Sequence, residues 1–326
     1  MEHRHLGRTG LRVSRLGLGT LTWGRNTGER DAADQLKTFW NAGGSLVDTA
    51  DVYADGGAEY LLGRLIEDLV PRSDLVIATK AGSVPDPDRR FDTSRGHLLA
   101  ALDASLQRLG TDYVDLWQVH AFDPGTPLDE TLQALDIAVA SGRARYVGVS
   151  NFCGWQLAKA ATWQLAAAGR TALASTQMEY SLLQRGVERE VLPAAMDLGL
   201  GLLPSSPLGR GVLTGKYRGG TPQESRGGSE DMAPFVAPYL DDAAALIVDA
   251  LTIAADGLAV SPLHVALAWV RDRPGVTAPL LGARNAQQLT AALSVEALTL
   301  PDEICQALDD VSAPLHRYPD HDWSTL

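Results

Sequence analysis

The chain has 326 residues, 45% of them hydrophobic and 21% charged, a balance ordinary for a globular protein with a large core and contrary to extended disorder. Its formal net charge of −12, with Lys and Arg unclustered, excludes a polyanion-binding surface, so neither nucleic acid nor an anionic membrane is an expected partner. Cys153 and Cys305 are far apart and lack CxxC spacing, the start MEHRHLGRTG has no apolar leader core, and no apolar run reaches membrane-spanning length; a disulfide framework is excluded and a reducing cytoplasm is the expected setting.

The opening RHLGRTGLRVSRL places two short alternating stretches about a Gly-containing turn, which predicts a β-hairpin that caps the bottom of whatever follows. Eight β-rich stretches come next: RLGLGT (15–20), SLVDTA (45–50), LVIATK (75–80), YVDLWQVH (113–120), ARYVGVSN (144–151), LASTQ (173–177), GLLPSS (201–206) and APLLGA (278–283). Segments between them, such as DAADQLKTFWNAGG, RGHLLAALDASLQRLG, LDETLQALDIAVASG and SPLHVALAWVRDR, carry apolar residues three or four apart and read as helices. Nearly continuous apolar strands separated by helices imply a parallel sheet covered on both faces. Eight such units predict a closed (β/α)8 TIM barrel forming one domain over residues 1–326, with extra loops and helices at its C-terminal face. Before the eighth strand lie the insertion GGTPQESRGGSEDMAPF and a helical stretch from Asp241 to Ala255; loops of that length are often functional.

An α/β barrel builds its active site at the C-terminal strand ends, so reactive side chains that finish strands are the candidates. Asp48 ends the second strand, Lys80 the third and His120 the fourth, and Tyr53 follows the second. Singly, each has a plainer reading as a helix cap, a surface lysine, a core histidine or a rim aromatic. Together they suit one task. A phenol with a pKa of about 10 is a poor proton donor near neutrality, and a nearby ammonium lowers that value. Lys80 can supply the ammonium, Asp48 its counter-charge, and His120 a hydrogen bond to a substrate oxygen or a share in the Tyr53 proton. Such a set polarises and protonates a carbonyl oxygen.

A nucleophilic hydrolase is disfavoured because no GxSxG is present, and a metal site would require more carboxylates or histidines than Asp48 and His120 provide. Reduction requires a hydride source, yet GLGTLTWG at 17–24 lacks the GxGxxG spacing of a Rossmann domain. Two other segments suit a phosphate-bearing ligand. SSPLGRGVLTGKY (205–217) offers a Gly-rich turn with Arg210 and Lys216, and GARNAQQL (282–289) offers a helix start with Arg284. A plain loop and a capped helix with a solvated arginine are the simpler alternatives.

The segments RHLGRTGLRVSRLGLGT, VDTADVY, ATK, DLWQVH, YVGVSNF, TQMEYS, SSPLGRGVLTGKY and LLGARNAQQL, spread over essentially the whole chain, resemble the aldo-keto reductase superfamily in content and order. The last three also resemble its potassium-channel β-subunit branch. The resemblance implies a catalytic tetrad of Tyr53 as general acid, Lys80 as its pKa-lowering partner, Asp48 as the counter-ion of Lys80, and His120 as the carbonyl-orienting group. It further implies that NADPH (or NADP, with NADH possible) lies extended across the barrel mouth. Ser150, Asn151 and Gln177 would hold the nicotinamide carboxamide. Ser206, Pro207, Leu208, Gly209 and Lys216 would line the pyrophosphate, Gly282, Ala283, Arg284 and Gln288 would surround the adenosine phosphate, and Thr20 and Trp23 match first-strand contacts. Ser205 stands where many members carry an aromatic that stacks on the nicotinamide, and Ala291 and Ala292 stand where relatives often carry a Glu-Asn pair for the adenine amine. Weaker cofactor affinity is expected, with Arg284 the main source of 2′-phosphate recognition. The implied activity is NADPH-dependent reduction of an aldehyde or ketone. A nucleotide-binding redox sensor or regulatory subunit with little turnover is the alternative, and a cofactor-independent isomerase on the same barrel a third. Trp23, Phe122, Phe152 and the insertion are the residues expected to shape a substrate pocket; they fix neither the substrate nor an oligomeric state.

Overall fold

The computed structural model describes residues 1–86, 88–230 and 232–314. Strands β1 (His3–His5) and β2 (Arg12–Ser14) form the antiparallel hairpin expected at the start of the chain. Eight parallel strands follow: β3 (Gly17–Gly19), β4 (Leu46–Asp48), β5 (Val76–Ala81), β6 (Val114–Val119), β7 (Ala144–Ser150), β8 (Leu173–Glu179), β9 (Gly201–Ser205) and β10 (Leu280–Leu281). They are ordered β10-β3-β4-β5-β6-β7-β8-β9. The ring closes where Leu202 N donates to Gly275 O at 3.2 Å and Thr277 N to Leu202 O at 2.8 Å. This is the TIM barrel that the alternating pattern predicts.

Helices α1 (Glu29–Asn41), α2 (Gly57–Leu65), α3 (Arg95–Leu109), α4 (Leu128–Ala140), α5 (Gly154–Leu165) and α6 (Val191–Leu198) follow β3 to β8 in turn. The long connection from β9 to β10 carries α7 (Ala233–Val236), α8 (Asp242–Gly257) and α9 (Pro262–Arg271). The helix expected from Asp241 is α8, which Asp241 caps by accepting from Ala244 N at 2.8 Å. After β10 come α10 (Ala286–Leu293) and α11 (Asp302–Val311), the latter packed on α8. Of the insertion, Asp231 lies outside the described residues, as do positions 315–326 of the expected single domain. Among the described residues no single helix is long and apolar enough to cross a membrane.

Two apolar layers hold this arrangement. The larger lies between strands and helices; the smaller fills the barrel with Leu46, Ala78, Leu116 and Leu203. Leu6 and Val13 of the hairpin, both fully buried, belong to the inner cluster and plug the bottom of the barrel. The turn between them carries Gly7 at φ +57, where a Cβ would lie 2.4 Å from Gly199 O, so only glycine fits against the start of β9. Side chains alternate along a strand. Two residues above each inner apolar residue the inward positions are Asp48, Lys80, Gln118 and Ser205, so the barrel changes from hydrocarbon to polar groups within one step toward its C-terminal face.

Candidate active site

Lys80 and Asp48 face each other across the top of β4 and β5. Lys80 Nζ donates to Asp48 Oδ2 at 2.7 Å and to Thr49 O at 2.8 Å, and both side chains are buried. From β8, Gln177 Nε2 donates to Asp48 Oδ1 at 2.8 Å. Burial works against the ammonium, but Asp48 and the Tyr53 hydroxyl hold its pKa above the ordinary lysine value. The lysine is a fixed cation.

Tyr53 enters from the loop between β4 and α2. Ala54, Asp55 and Gly56 all take left-handed φ values of 51, 54 and 87°, which folds the chain back into α2 while the phenol stays over the strand ends. Lys80 Nζ lies 5.1 Å from the centroid of the Tyr53 ring. His120 meets that ring edge-on, with centroids 6.0 Å apart and planes at 77°. The four side chains named from the strand ends therefore converge.

Their electrostatics differ from expectation in two respects. Burial raises the pKa of Tyr53; Lys80 opposes this as a charge and a hydrogen-bond partner, but Asp48 supports it, and the net direction is upward. The expected net lowering is corrected because burial disfavours the phenolate more than Lys80 favours it, and Asp48, 2.7 Å from the ammonium, offsets part of its field. Burial and Lys80 push the His120 imidazole down to about 3, so the ring is neutral near physiological pH and does not share the Tyr53 proton as an imidazolium. Its Nδ1 is buried without a hydrogen-bond partner among the described residues. The chemistry available is a protonated phenol beside a neutral imidazole, both able to address one oxygen.

A cavity of about 550 Å³ opens over this cluster, with Asp48 and Tyr53 in its lining. Thr20, Gln177, Ser205, Ser206, Pro207, Leu208, Arg210, Lys216, Gly282, Ala283, Arg284 and Gln288 line it too, together with Ala291 and Ala292. Four other residues expected at the cofactor do not. Trp23 is fully buried and donates from Nε1 to Gln35 Oε1 at 3.0 Å, which anchors α1. Ser150 is buried at the end of β7, and Asn151, at φ 55, donates to His120 O at 2.9 Å and Ser150 Oγ at 3.1 Å. Gly209 is buried at φ +54, where a Cβ would meet Leu183.

Arg210 is in the cavity wall, but its charge is committed elsewhere. It forks onto Glu179 at 2.9 and 2.5 Å, donates to Phe235 O at 2.5 Å, and lies over the rings of Phe235 and Tyr239. The cation that sequence reasoning missed is Arg226, from the insertion. Tyr217 Oη accepts from Gly227 N at 3.0 Å and Ser225 Oγ accepts from Gly228 N at 3.2 Å, which fixes this turn over the mouth. Burial and Arg284 lower the pKa of Arg226; burial, Arg226 and Arg284 lower that of Lys216. None of Lys216, Arg226 and Arg284 has an ion-pair partner among the described residues. Three cations that repel one another at one end of a cavity fit the phosphates of a dinucleotide.

Residues 15–313 match the family described as aldo/keto reductase. The chain is 37% identical over 326 residues to the uncharacterized oxidoreductase YrpG of Bacillus subtilis (strain 168), covering 95% of this chain and 96% of that protein. It is likewise 37% identical over 332 residues to a rice (Oryza sativa subsp. japonica) protein named "probable voltage-gated potassium channel subunit beta", covering 98% of each. To the L-glyceraldehyde 3-phosphate reductase of Escherichia coli (strain K12) it is 36% identical over 302 residues, 89% of this chain and 86% of that one. A closed barrel with its polar cluster at the strand ends is thus matched by kinship along nearly all of the chain, which belongs to the aldo/keto reductase family and is an NAD(P)H-dependent oxidoreductase.

Proposed function

We propose that the protein reduces an aldehyde or ketone to an alcohol, with NADPH as the preferred cofactor and Tyr53 as the proton donor. The supporting observation is one cavity lined both by a protonated phenol and by three cations that have no ion-pair partner among the described residues. Bound NADPH supplies the hydride. Lys216, Arg226 and Arg284 would hold the phosphates, and Gln177, which lines the cavity where Ser150 and Asn151 do not, would address the carboxamide. Neutral His120 orients the substrate oxygen, and Tyr53 gives that oxygen its proton while Lys80 stabilises the phenolate left behind. Asp48 keeps Lys80 charged and in place.

Tyr53→Phe tests the assignment. Steady-state turnover of a carbonyl substrate falls by about 10²–10⁴-fold, the usual contribution of general acid catalysis, while NADPH still binds. Unchanged turnover overturns the role of Tyr53. Kinship with a protein named as a potassium-channel β subunit supports a second reading, a nucleotide-binding redox sensor. Its signature is tight NADPH binding without oxidation across a broad panel of aldehydes, ketones, dicarbonyls and sugars.

A further inference from the structure

On the helix side of the Tyr53 loop lies a second group of charges that the proposed chemistry does not use. Asp51 opens the loop, and its N–H donates to Lys80 O at 3.1 Å, which latches the loop to the lysine strand. Its Oδ1 is buried and finds no hydrogen-bond partner among the described residues. Thr79, the neighbour of Lys80, turns its hydroxyl outward and donates to Glu59 Oε1, and Glu59 is fully buried on α2. Arg108 of α3 donates from Nε to Glu59 Oε2 at 2.7 Å and from Nη2 to Ser105 Oγ at 3.2 Å. The same arginine packs under Gly56, where a Cβ would come within 2.8 Å of Arg108 Cδ. Both ends of the loop that carries Tyr53 thus rest on one cluster.

That cluster holds the buried Glu59 carboxyl group, the half-buried Asp51 with its Oδ1 turned away from water, and one guanidinium, which is already engaged by Glu59. The groups acting on Asp51 are Glu59 from α2, Arg108 from α3, Lys80 from β5, and Tyr53 and the Val52 amide from its own loop. Two ionised carboxylates sharing a buried site repel each other, and the arrangement relaxes by holding a proton. We propose that Asp51, whose buried Oδ1 has no partner among the described residues, carries a proton and, with the Glu59–Arg108 pair, clamps the Tyr53 loop, so that Asp51 is a positioning residue whose ionisation loosens the phenol from its place beside Lys80 and His120. Burial first, then Glu59, raises the Asp51 carboxyl to about 7, which places the change near neutral pH. The consequence for turnover rests on the reductase reading; the clamp itself does not.

The test uses the full chain with tyrosines labelled at the ring carbon that bears the hydroxyl, the Tyr53 resonance being assigned from Tyr53→Phe. In the wild type this resonance shifts with a midpoint near pH 7, whereas in Asp51→Asn it does not move between pH 5 and 8. In Glu59→Gln, which removes the neighbouring charge, the midpoint moves to lower pH; this variant decides the matter if Asp51→Asn fails to fold. At saturating NADPH the wild-type kcat for carbonyl reduction falls severalfold from pH 6 to 8, while KM is steady; Asp51→Asn loses that descending limb. Superimposable resonance titrations in all three proteins overturn the proton on Asp51. A resonance that titrates as expected with no change in the kcat profile overturns the positioning role. Absence of turnover in every form overturns the reductase reading instead and leaves the resonance titration to decide the clamp.

Discussion

Lys80 and Asp48 form an ion pair at 2.7 Å in which the lysine side chain is wholly buried and the aspartate nearly so. An ion pair shut away from water is asymmetric in its energetics: removing one partner strands a charge, whereas removing both does not. Asp48→Ala should therefore destabilise the fold by about 3–5 kcal/mol, read as a lower denaturant midpoint. The double variant Asp48→Ala with Lys80→Met should recover a large part of that loss. A double variant no more stable than the single one would show that the pair does not carry the cost.

The three cations over the cavity mouth trade stability for binding. Arg226→Gln relieves repulsion felt by Lys216 and Arg284, so the cofactor-free protein should melt at a slightly higher temperature than wild type. Losing a hydrogen bond to a charged group is worth about 1.5–3 kcal/mol, so NADPH should bind about tenfold to a hundredfold more weakly. NADH, which lacks the 2′-phosphate, should be affected less by Arg226→Gln and by Arg284→Ala. Calorimetric titration with both cofactors checks this; equal losses for NADPH and NADH refute the preference.

His120 should make the fold sensitive to acid. Its pKa is depressed to about 3 from an ordinary 6.5, so the unfolded chain takes up a proton that the folded chain refuses. The stability from the neutral ring is present above about pH 6.5 and is lost as pH falls toward 3. His120→Gln cannot titrate, and its melting temperature should decline less than the wild type between pH 6.5 and 4.5. Parallel curves would contradict a neutral, buried ring. Asp51 acts with the opposite sign, because its raised pKa removes stability as pH rises from about 4 to 7.

At the other end of the barrel, Leu6 is buried among Leu46, Ala78 and Leu203. Leu6→Ala opens a hole in that plug and should destabilise by about 2–5 kcal/mol. Equilibrium unfolding measures the loss, and NADPH affinity should be unchanged because the cavity lies at the opposite face. A change in affinity would mean that the plug shapes the mouth through the strands.

The barrel was legible because apolar strands alternate with helical periodicity, and the polar cluster at the strand ends because Asp48 and Lys80 interrupt the inward apolar row one step above Leu46 and Ala78. What pairing in space decides was not. Arg210 looks free in a Gly-rich turn until Glu179, at the end of β8, is seen to take its charge. Arg226 sits in an aperiodic Gly- and Pro-rich insertion, and its neighbours Lys216 and Arg284 are assembled only when that segment folds over the mouth. Trp23 lies in a recognisable motif, yet its partner Gln35 belongs to the buried face of a helix. The direction of the Tyr53 shift depends first on how deeply the phenol is buried and then on how closely Asp48 shadows Lys80, neither of which is a spacing in the chain.

Gln177 and Asp48 are joined at 2.8 Å although β8 and β4 stand four places apart in a ring of eight. Their hydrogen bond is a spoke across the diameter of the barrel, and Lys80 is fastened to the same hub. Loops that rise from the strand ends lie outside this wheel and can be lengthened, shortened or exchanged to admit other carbonyl compounds without disturbing it. A change that makes the barrel rounder or flatter has no such freedom, because it pulls on the carboxylate that holds Lys80 beneath Tyr53.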